Sequence, residues 1–231
     1  MSLFEIKNQV INLPSCIDVV LWSKESKKLL FLESKFTEYN ETKERQLYGI
    51  GYFDLYSQLD KKGVFDSEFK ISKNEKYNKL EIFSQDSKKK YIEGIKQNIS
   101  HLIGIIRGPY LNTNEIYTQS YMDEYIKIYD QADEIIYGTI LFDPHFIDPA
   151  NNIKEIEKYK SYYELYCKII GSKGDLIIDQ IRAWCDNENF SKSDKKNIKV
   201  LSRPITYQDL AIKSSEYFEK LPEPIKQFYN L

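Results

Sequence analysis

Two short apolar runs near the start of the chain constrain its fold most strongly. Residues 16–22 read Cys-Ile-Asp-Val-Val-Leu-Trp, residues 29–36 read Leu-Leu-Phe-Leu-Glu-Ser-Lys-Phe, and six polar residues separate them. β-branched and aromatic side chains favour strands, and a short polar link between two such runs is typical of a β-hairpin. The sequence therefore predicts an antiparallel strand pair over residues 16–36.

The rest of the chain predicts helices packed on a central sheet. The clearest helix spans residues 88–107, where Ile and Leu recur with the i, i+3, i+4, i+7 spacing of an apolar stripe. Further predicted elements are a helix at 41–59, a buried strand at 134–142, helices at 153–171 and 173–186, a strand at 198–201 and a helix from about 206. We expect one α/β (α+β) domain over residues 1–231, with a central mixed β-sheet flanked by helices. Its core covers about 3–142, with a helical excursion outside the core at 40–86 and a C-terminal helical extension at 153–231.

Composition limits the chemistry that this chain can carry. The 33 basic and 35 acidic residues give a net charge of −2, which argues against binding nucleic acid by bulk charge and leaves a local basic patch. Two His and three widely spaced Cys exclude a multi-histidine metal site and a disulfide framework, so any metal must be held by oxygen. This cysteine usage is typical of a cytoplasmic protein. No run approaches the roughly 18 apolar residues of a membrane span, so we expect no membrane association.

Charged residues interrupt the apolar hairpin at three positions: Asp18, Glu33 and Lys35. Glu33 and Lys35 are two residues apart and therefore point to the same face of a strand. If the hairpin is symmetric about residues 25 and 26, paired residue numbers sum to 51, and Asp18 lies opposite Glu33. Directly opposed residues have Cβ atoms about 4.5–5.5 Å apart. Two carboxylates at that distance repel unless a cation or a proton lies between them.

A divalent cation held by these carboxylates would support phosphodiester hydrolysis. Mg²⁺ (or Mn²⁺) prefers hard oxygen ligands, takes one or two carboxylates, and polarises a bound phosphoryl group. Lys35 could stabilise negative charge on that phosphate. The alternative is a surface hairpin in which Asp18, Glu33 and Lys35 form an ordinary cross-strand salt-bridge cluster.

The motif resembles the PD-(D/E)XK nuclease superfamily, which has the restriction-endonuclease-like fold. The residues that carry the resemblance are Pro14 and Asp18, followed after the hairpin by Glu33-Ser34-Lys35. The resemblance implies that Asp18 and Glu33 are metal ligands, that the Ser34 backbone carbonyl is a further ligand, and that Lys35 is the catalytic lysine. This chain departs from the family in that three residues separate Pro14 from Asp18.

The resemblance also implies an order of elements: helix, three strands, helix, strand. This order can be laid over residues 3–142, with a first strand near Gln9 to Leu13. The family often carries an acidic residue on its N-terminal helix, and Glu5 is the candidate upstream of the hairpin. The implied activity is that of a Mg²⁺-dependent restriction or repair-like nuclease, with DNA favoured over RNA as the partner. Many related nucleases are homodimers, but no feature of this sequence marks a dimer surface.

The helix at 88–107 carries two further candidate site residues, Gln97 and His101. They are four apart, hence on one face, and resemble the glutamine-bearing helix that flanks the site in many of these nucleases. At 100° per residue this face lies roughly opposite the Ile92, Ile95 and Ile99 stripe, so a solvated polar face is an equal alternative.

Other motifs have simpler interpretations. The lysine-rich runs at 86–90 and 195–199 are typical of solvated faces, although they could contact phosphates. Asp143-Pro-His145 indicates a turn, and 171–175 is a glycine-rich link between helices rather than a phosphate-binding loop. The functional alternative to a nuclease is a non-catalytic, nuclease-like module that binds nucleic acid or protein.

Overall fold

The computed structural model places the predicted hairpin in a mixed five-stranded sheet flanked by helices. The structure describes residues 6–7, 16–35, 48–49, 52–65, 69–74, 79–84, 90–108, 119–141, 162–187, 196–207 and 209. The strands are β1 (Ile6–Lys7), β2 (Cys16–Ile17), β3 (Val19–Ser23), β4 (Lys28–Lys35), β5 (Tyr48–Gly49), β6 (Phe69–Asn74), β7 (Lys79–Ser84), β8 (Glu134–Leu141), β9 (Asn197–Val200) and β10 (Ile205–Thr206). The helices are α1 (Phe53–Lys61), α2 (Lys90–Arg107), α3 (Gln119–Gln131) and α4 (Ser172–Asn187), the last preceded by a π-helical turn, Cys167–Gly171.

The five-stranded sheet is built around β4 and β8. Its order is β10–β8–β4–β3, and β9 pairs with the start of β8 on the same side as β10. β3 is antiparallel to β4, whereas β4, β9 and β10 are parallel to β8. Parallel neighbours need a long crossover connection, and the segment that contains α2 and α3 provides it between β4 and β8.

The predicted hairpin and its register are confirmed. In all five β3–β4 pairs, from Val19 with Leu32 to Ser23 with Lys28, the residue numbers sum to 51. Asp18 forms a bend between β2 and β3, and continuing the register by one residue places it opposite Glu33. β2 also pairs with β1, a two-residue strand at Ile6–Lys7. The predicted first strand, Gln9 to Leu13, and Glu5 lie outside the described residues.

One hydrophobic core joins the sheet to the helices. The predicted helix at 88–107 is confirmed as α2, and the predicted strand at 134–142 as β8. α3 lies in a stretch for which the sequence predicted no element. Side chains from β4, α1, α2, β8 and α4 meet in the core, and representatives with no exposed surface are Phe31, Leu55, Ile99, Tyr137 and Ile177.

The predicted helix at 41–59 is wrong at its start. Tyr48–Gly49 forms β5, which pairs with Lys79 and Leu80 of β7, and α1 begins only at Phe53. Glycine disfavours a helix interior and tyrosine favours strands, so tertiary pairing determines the conformation of Tyr48 and Gly49. Residues 41–47 lie outside the described residues.

The segment at 40–86 is not the helical excursion that the sequence predicted. β5, β7 and β6 form a three-stranded antiparallel sheet in that order. Val64 and Phe65, which follow α1, are buried in the main core. The prediction failed because the polar–apolar alternation that indicates a half-buried strand covers only the first four residues of β6 and of β7, within a mainly polar segment.

The C-terminal part follows the predicted order with local differences. The predicted break between the helices at 153–171 and 173–186 corresponds to the π-helical turn and to a kink at Lys173 (φ −116°, ψ 16°). The predicted strand at 198–201 is β9, and β10 follows where a helix was expected to begin. The backbone N–H of Asp209 donates to Thr206 Oγ1 (2.9 Å), and the backbone N–H of Thr206 donates to Asp209 Oδ2 (3.4 Å). This reciprocal pair is the pattern of a capping box at a helix N-terminus. Within the described ranges, no helix combines the length and apolar character needed to cross a membrane.

Candidate functional site

The candidate site centres on a buried carboxylate, that of Glu33. Glu33 is only 2% exposed and lies near the C-terminal end of β4, where its neighbour in β8 is Thr139. Partnered residues of adjacent strands share a face of the sheet, so Glu33 and Thr139 face the same side. The side chain of Gln97 in α2 reaches this side and donates a hydrogen bond from Nε2 to Glu33 Oε1 at 2.7 Å.

His101 lies beside the same carboxylate. Its Nδ1 is 3.6 Å from Glu33 Oε2 and 2.9 Å from the hydroxyl of Tyr137. His101 is fully buried, so the alternative of a solvated polar face is wrong at this position. The helix is buried on both its apolar and its polar face because the polar face packs against β4 and β8. Both predicted residues, Gln97 and His101, therefore meet Glu33.

Asp18 is exposed and lies at the bend between β2 and β3, beside β4. Its Oδ2 accepts a hydrogen bond from the backbone N–H of Ser34 at 2.7 Å. The hydroxyl of Ser34 is 2.6 Å from that of Tyr207, which follows β10. The backbone of Lys35 continues β4 beside Leu141, and its side chain lies outside the described part of the structure.

A buried amide, Asn98, organises the polar groups behind Glu33. Its Nδ2 donates to the main-chain oxygen of Gly94 (2.7 Å) and to the hydroxyl of Tyr162 (2.9 Å). Its Oδ1 accepts from the hydroxyls of Tyr137 (2.7 Å) and Thr139 (3.0 Å). A buried polar cluster is favourable only when its members are hydrogen-bonded, and Asn98, at 1% exposure, meets this condition with four hydrogen bonds.

Burial also shapes the protonation of the two tyrosines. Burial first, and then the charge of Glu33, raises the pKa of Tyr137 well above its usual value. Burial likewise raises the pKa of Tyr162, while hydrogen bonds with Asn98 and Thr139 oppose the rise. Both phenols are therefore neutral at physiological pH and remain able to donate a proton.

Sequence reasoning missed Asn98, Tyr137, Thr139 and Tyr162. A usable signal was present in β8, where Tyr137 and Thr139 alternate in an otherwise apolar strand and come into register with Phe31 and Glu33. No comparable signal marked Asn98, because an amide next to Gln97 looks like one more polar residue of a solvated face.

The described residues of the site supply oxygen ligands for part of the coordination shell of a cation such as Mg²⁺. Asp18 and Glu33 offer hard carboxylate oxygens on adjacent strands, and Asp18 is exposed. Among the residues that the structure describes, no group of three or more His, Cys, Asp and Glu side chains is arranged to hold a metal. Mg²⁺ commonly uses one or two protein carboxylates and fills its remaining positions with water and substrate oxygens, so two carboxylates suffice.

The other sequence candidates have structural roles where the structure describes them. Lys196 donates to the main-chain oxygens of Asp130 (2.7 Å) and Ala132 (3.1 Å) at the end of α3. Lys199 pairs with Glu134 at 2.5 Å. His145 and most of the lysine-rich run at 86–90 lie outside the described residues.

The glycine-rich link serves close packing. A Cβ atom on Gly171 would lie 2.0 Å from the backbone oxygen of Ser202, and one on Gly174 would lie 2.8 Å from Val200 Cβ. These contacts account for both glycines without a bound phosphate, which agrees with the interpretation of a link between helices.

The arrangement as a whole combines an exposed carboxylate, Asp18, which accepts from the backbone N–H that follows Glu33, with the buried Glu33 carboxylate, which accepts from Gln97 and lies 3.6 Å from the imidazole of His101. Such a pair can bind a cation at its exposed side while the protein fixes the ligand from behind. Comparison with protein-family models, with curated proteins and with solved structures finds no match for this chain.

Proposed function

We propose that this chain is a metal-dependent phosphodiesterase of the restriction-endonuclease-like fold that cleaves nucleic acid, with DNA favoured over RNA. The observation that carries the proposal is the position of Glu33: a buried carboxylate near the C-terminal end of β4 that accepts from Gln97, lies 3.6 Å from His101, and is opposite Asp18 when the β3–β4 register is continued by one residue. Burying a carboxylate has a desolvation cost that an apolar residue at the same position would avoid, so a functional role for Glu33 would explain its presence.

The order of the described elements supports the fold part of the proposal. Apart from the inserted elements β5, α1, β6, β7 and α3, the antiparallel β3–β4 hairpin is followed by α2 and then by β8, which lies parallel to β4. This order agrees with the last three strands and the second helix implied by the PD-(D/E)XK resemblance. The candidate residues come from the hairpin and from α2, as the resemblance also implies.

Each residue has a proposed role. Asp18 and Glu33 would hold Mg²⁺ or Mn²⁺, with the Ser34 carbonyl as a further ligand. The bound ion would supply Lewis-acid stabilisation of charge on the phosphoryl oxygens. Lys35 would add a positive charge near the scissile phosphate. Gln97 and His101 do not reach substrate in this account; they orient the Glu33 carboxylate.

The test is a cleavage assay on plasmid and linear DNA with Mg²⁺ or Mn²⁺. We expect Asp18→Asn and Glu33→Gln to reduce the rate by about 100-fold or more, because metal stabilisation of the transition state contributes several kcal/mol. Glu134→Gln is the matched control, since Glu134 is a carboxylate of the same sheet that pairs with Lys28 and Lys199 at the opposite end of β8. Equal cleavage by wild type and Glu33→Gln would reject the proposal.

The second candidate function is a nuclease-like module that binds nucleic acid or protein without cutting. The burial of Glu33 favours it, because one carboxylate oxygen accepts from Gln97 and the other lies 3.6 Å from His101. In this alternative Glu33 is structural and the protein does not respond to metal. Titration with Mn²⁺ separates the two functions: preserved DNA binding without metal binding or cleavage would favour the module.

A further inference from the structure

The hydrogen bonds around Asn98 have a defined direction. The main-chain oxygen of Gly94 can only accept, so the atom of Asn98 that faces it at 2.7 Å is the donor, Nδ2. The other amide atom is therefore the acceptor Oδ1, and it lies within hydrogen-bonding distance of Tyr137 and Thr139. One backbone carbonyl thus fixes which way the Asn98 amide is turned.

The same reasoning extends from Asn98 to His101. The Tyr137 phenol is neutral, and its single proton points to Asn98 Oδ1 at 2.7 Å. Towards His101 the phenol oxygen can then only accept. Because His101 Nδ1 is 2.9 Å from that oxygen, Nδ1 must be the nitrogen that carries a proton.

We propose that Asn98 and Tyr137 are positioning residues that hold His101 as the Nδ1–H tautomer and through it fix the carboxylate of Glu33. The protonated Nδ1 donates its one proton to the Tyr137 oxygen and lies 3.6 Å from Glu33 Oε2, so it acts on that oxygen as a nearby N–H dipole, while Gln97 donates a hydrogen bond to Oε1. Outer partners of this kind orient metal-binding side chains. The link to metal binding rests on the proposed function; the tautomer of His101 does not.

The tautomer is measured directly by NMR of protein labelled with ¹⁵N-histidine, at a pH where the imidazole is neutral. The chain contains two histidines, so a spectrum of His145→Gln assigns His101. We expect a protonated Nδ1 and an unprotonated Nε2. An unprotonated Nδ1 in the wild-type protein would overturn the inference, and this measurement needs no variant of the buried cluster to fold.

Two matched variants test the path from Asn98 to Glu33. Tyr137→Phe and Tyr162→Phe each remove one hydroxyl from a fully buried ring that contacts Asn98, but from opposite sides of the amide. Tyr137→Phe removes the acceptor of the Nδ1 proton, so we expect the chemical shifts of the His101 Nδ1–H group to change and the Mn²⁺ affinity to fall about tenfold. Tyr162→Phe should leave the Nδ1–H shifts unchanged and the affinity within about twofold, because Gly94 still orients Asn98.

Equal responses of the Nδ1–H shifts and of Mn²⁺ affinity in the two variants would overturn the inference, since a purely structural role predicts equal effects. The outcome also separates this inference from the proposed function. If Tyr137→Phe alone changes the Nδ1–H shifts but wild-type protein binds no Mn²⁺, the positioning of His101 stands and the metal-dependent function is rejected.

Discussion

The substitution Asn98→Ala tests how far the buried polar cluster supports the fold. Asn98 makes four hydrogen bonds of 2.7–3.0 Å, and removing its amide leaves the hydroxyls of Tyr137, Thr139 and Tyr162 without that partner inside the protein. At about 1 kcal/mol net for each hydrogen bond, the free energy of unfolding should fall by about 4 kcal/mol. That is a large fraction of the roughly 5–15 kcal/mol by which native proteins are stable.

Urea denaturation measures this loss. With a slope of about 2 kcal/mol per molar urea, the midpoint of Asn98→Ala should fall by about 2 M. Gln97→Ala is the matched control, because Gln97 is the adjacent residue of α2 and donates one hydrogen bond to Glu33. Its midpoint should fall by only about 1 M, for a loss of about 2 kcal/mol, the cost of one hydrogen bond to a charged group. Equal midpoints for the two variants would refute the central role of Asn98 in this cluster.

Three further predictions concern the surroundings of the site. Ser34→Ala and Tyr207→Phe should each lower the free energy of unfolding by about 1 kcal/mol, and the double variant by little more, because both substitutions remove the same 2.6 Å hydrogen bond. Additive losses in thermal denaturation would contradict this. Gly171→Ala should cost about 3 kcal/mol, because its Cβ would lie 2.0 Å from a backbone oxygen; wild-type stability in chemical denaturation would contradict that contact. Hydrogen bonds from Lys199 and Lys28 lower the pKa of Glu134, so the ionised carboxylate stabilises the fold above pH 4.5, and this stabilisation is lost as the pH falls from there through the lowered pKa. Glu134→Gln should therefore lose less stability on acidification than the wild type. An unchanged pH profile would contradict this.

The sequence was sufficient to predict elements whose apolar pattern is strong. The β3–β4 register followed from symmetry about a short polar link, and α2 and β8 followed from long apolar runs. β6 and β7 were missed because polar and apolar residues alternate over only the first four positions of each strand. Tyr48 and Gly49 were assigned to a helix because their local pattern carries no information about the distant strand β7 with which they pair.

In the candidate site, too, some residues could be predicted from the sequence, but the packing that brings them together could not. Asp18, Glu33 and Lys35 could be selected because charges are conspicuous in apolar strands, and Gln97 and His101 because they are four residues apart on a helix. Sequence periodicity could not determine whether the polar face of α2 meets solvent or the sheet. That depends on the packing of α2 over β4 and β8, which brings residues about 64 positions apart into hydrogen-bonding contact, as in the bond from Gln97 to Glu33.

Binding of Mn²⁺ between Asp18 and Glu33 is the central claim, and a crystal soaked in Mn²⁺ tests it most directly. The account predicts an anomalous peak within about 2.0–2.6 Å of a carboxylate oxygen of both residues, the range of hard-cation ligand distances. The same soak of Glu33→Gln should give no such peak or a much weaker one. An unoccupied site in wild-type crystals at a saturating Mn²⁺ concentration would contradict the account and favour the non-catalytic module.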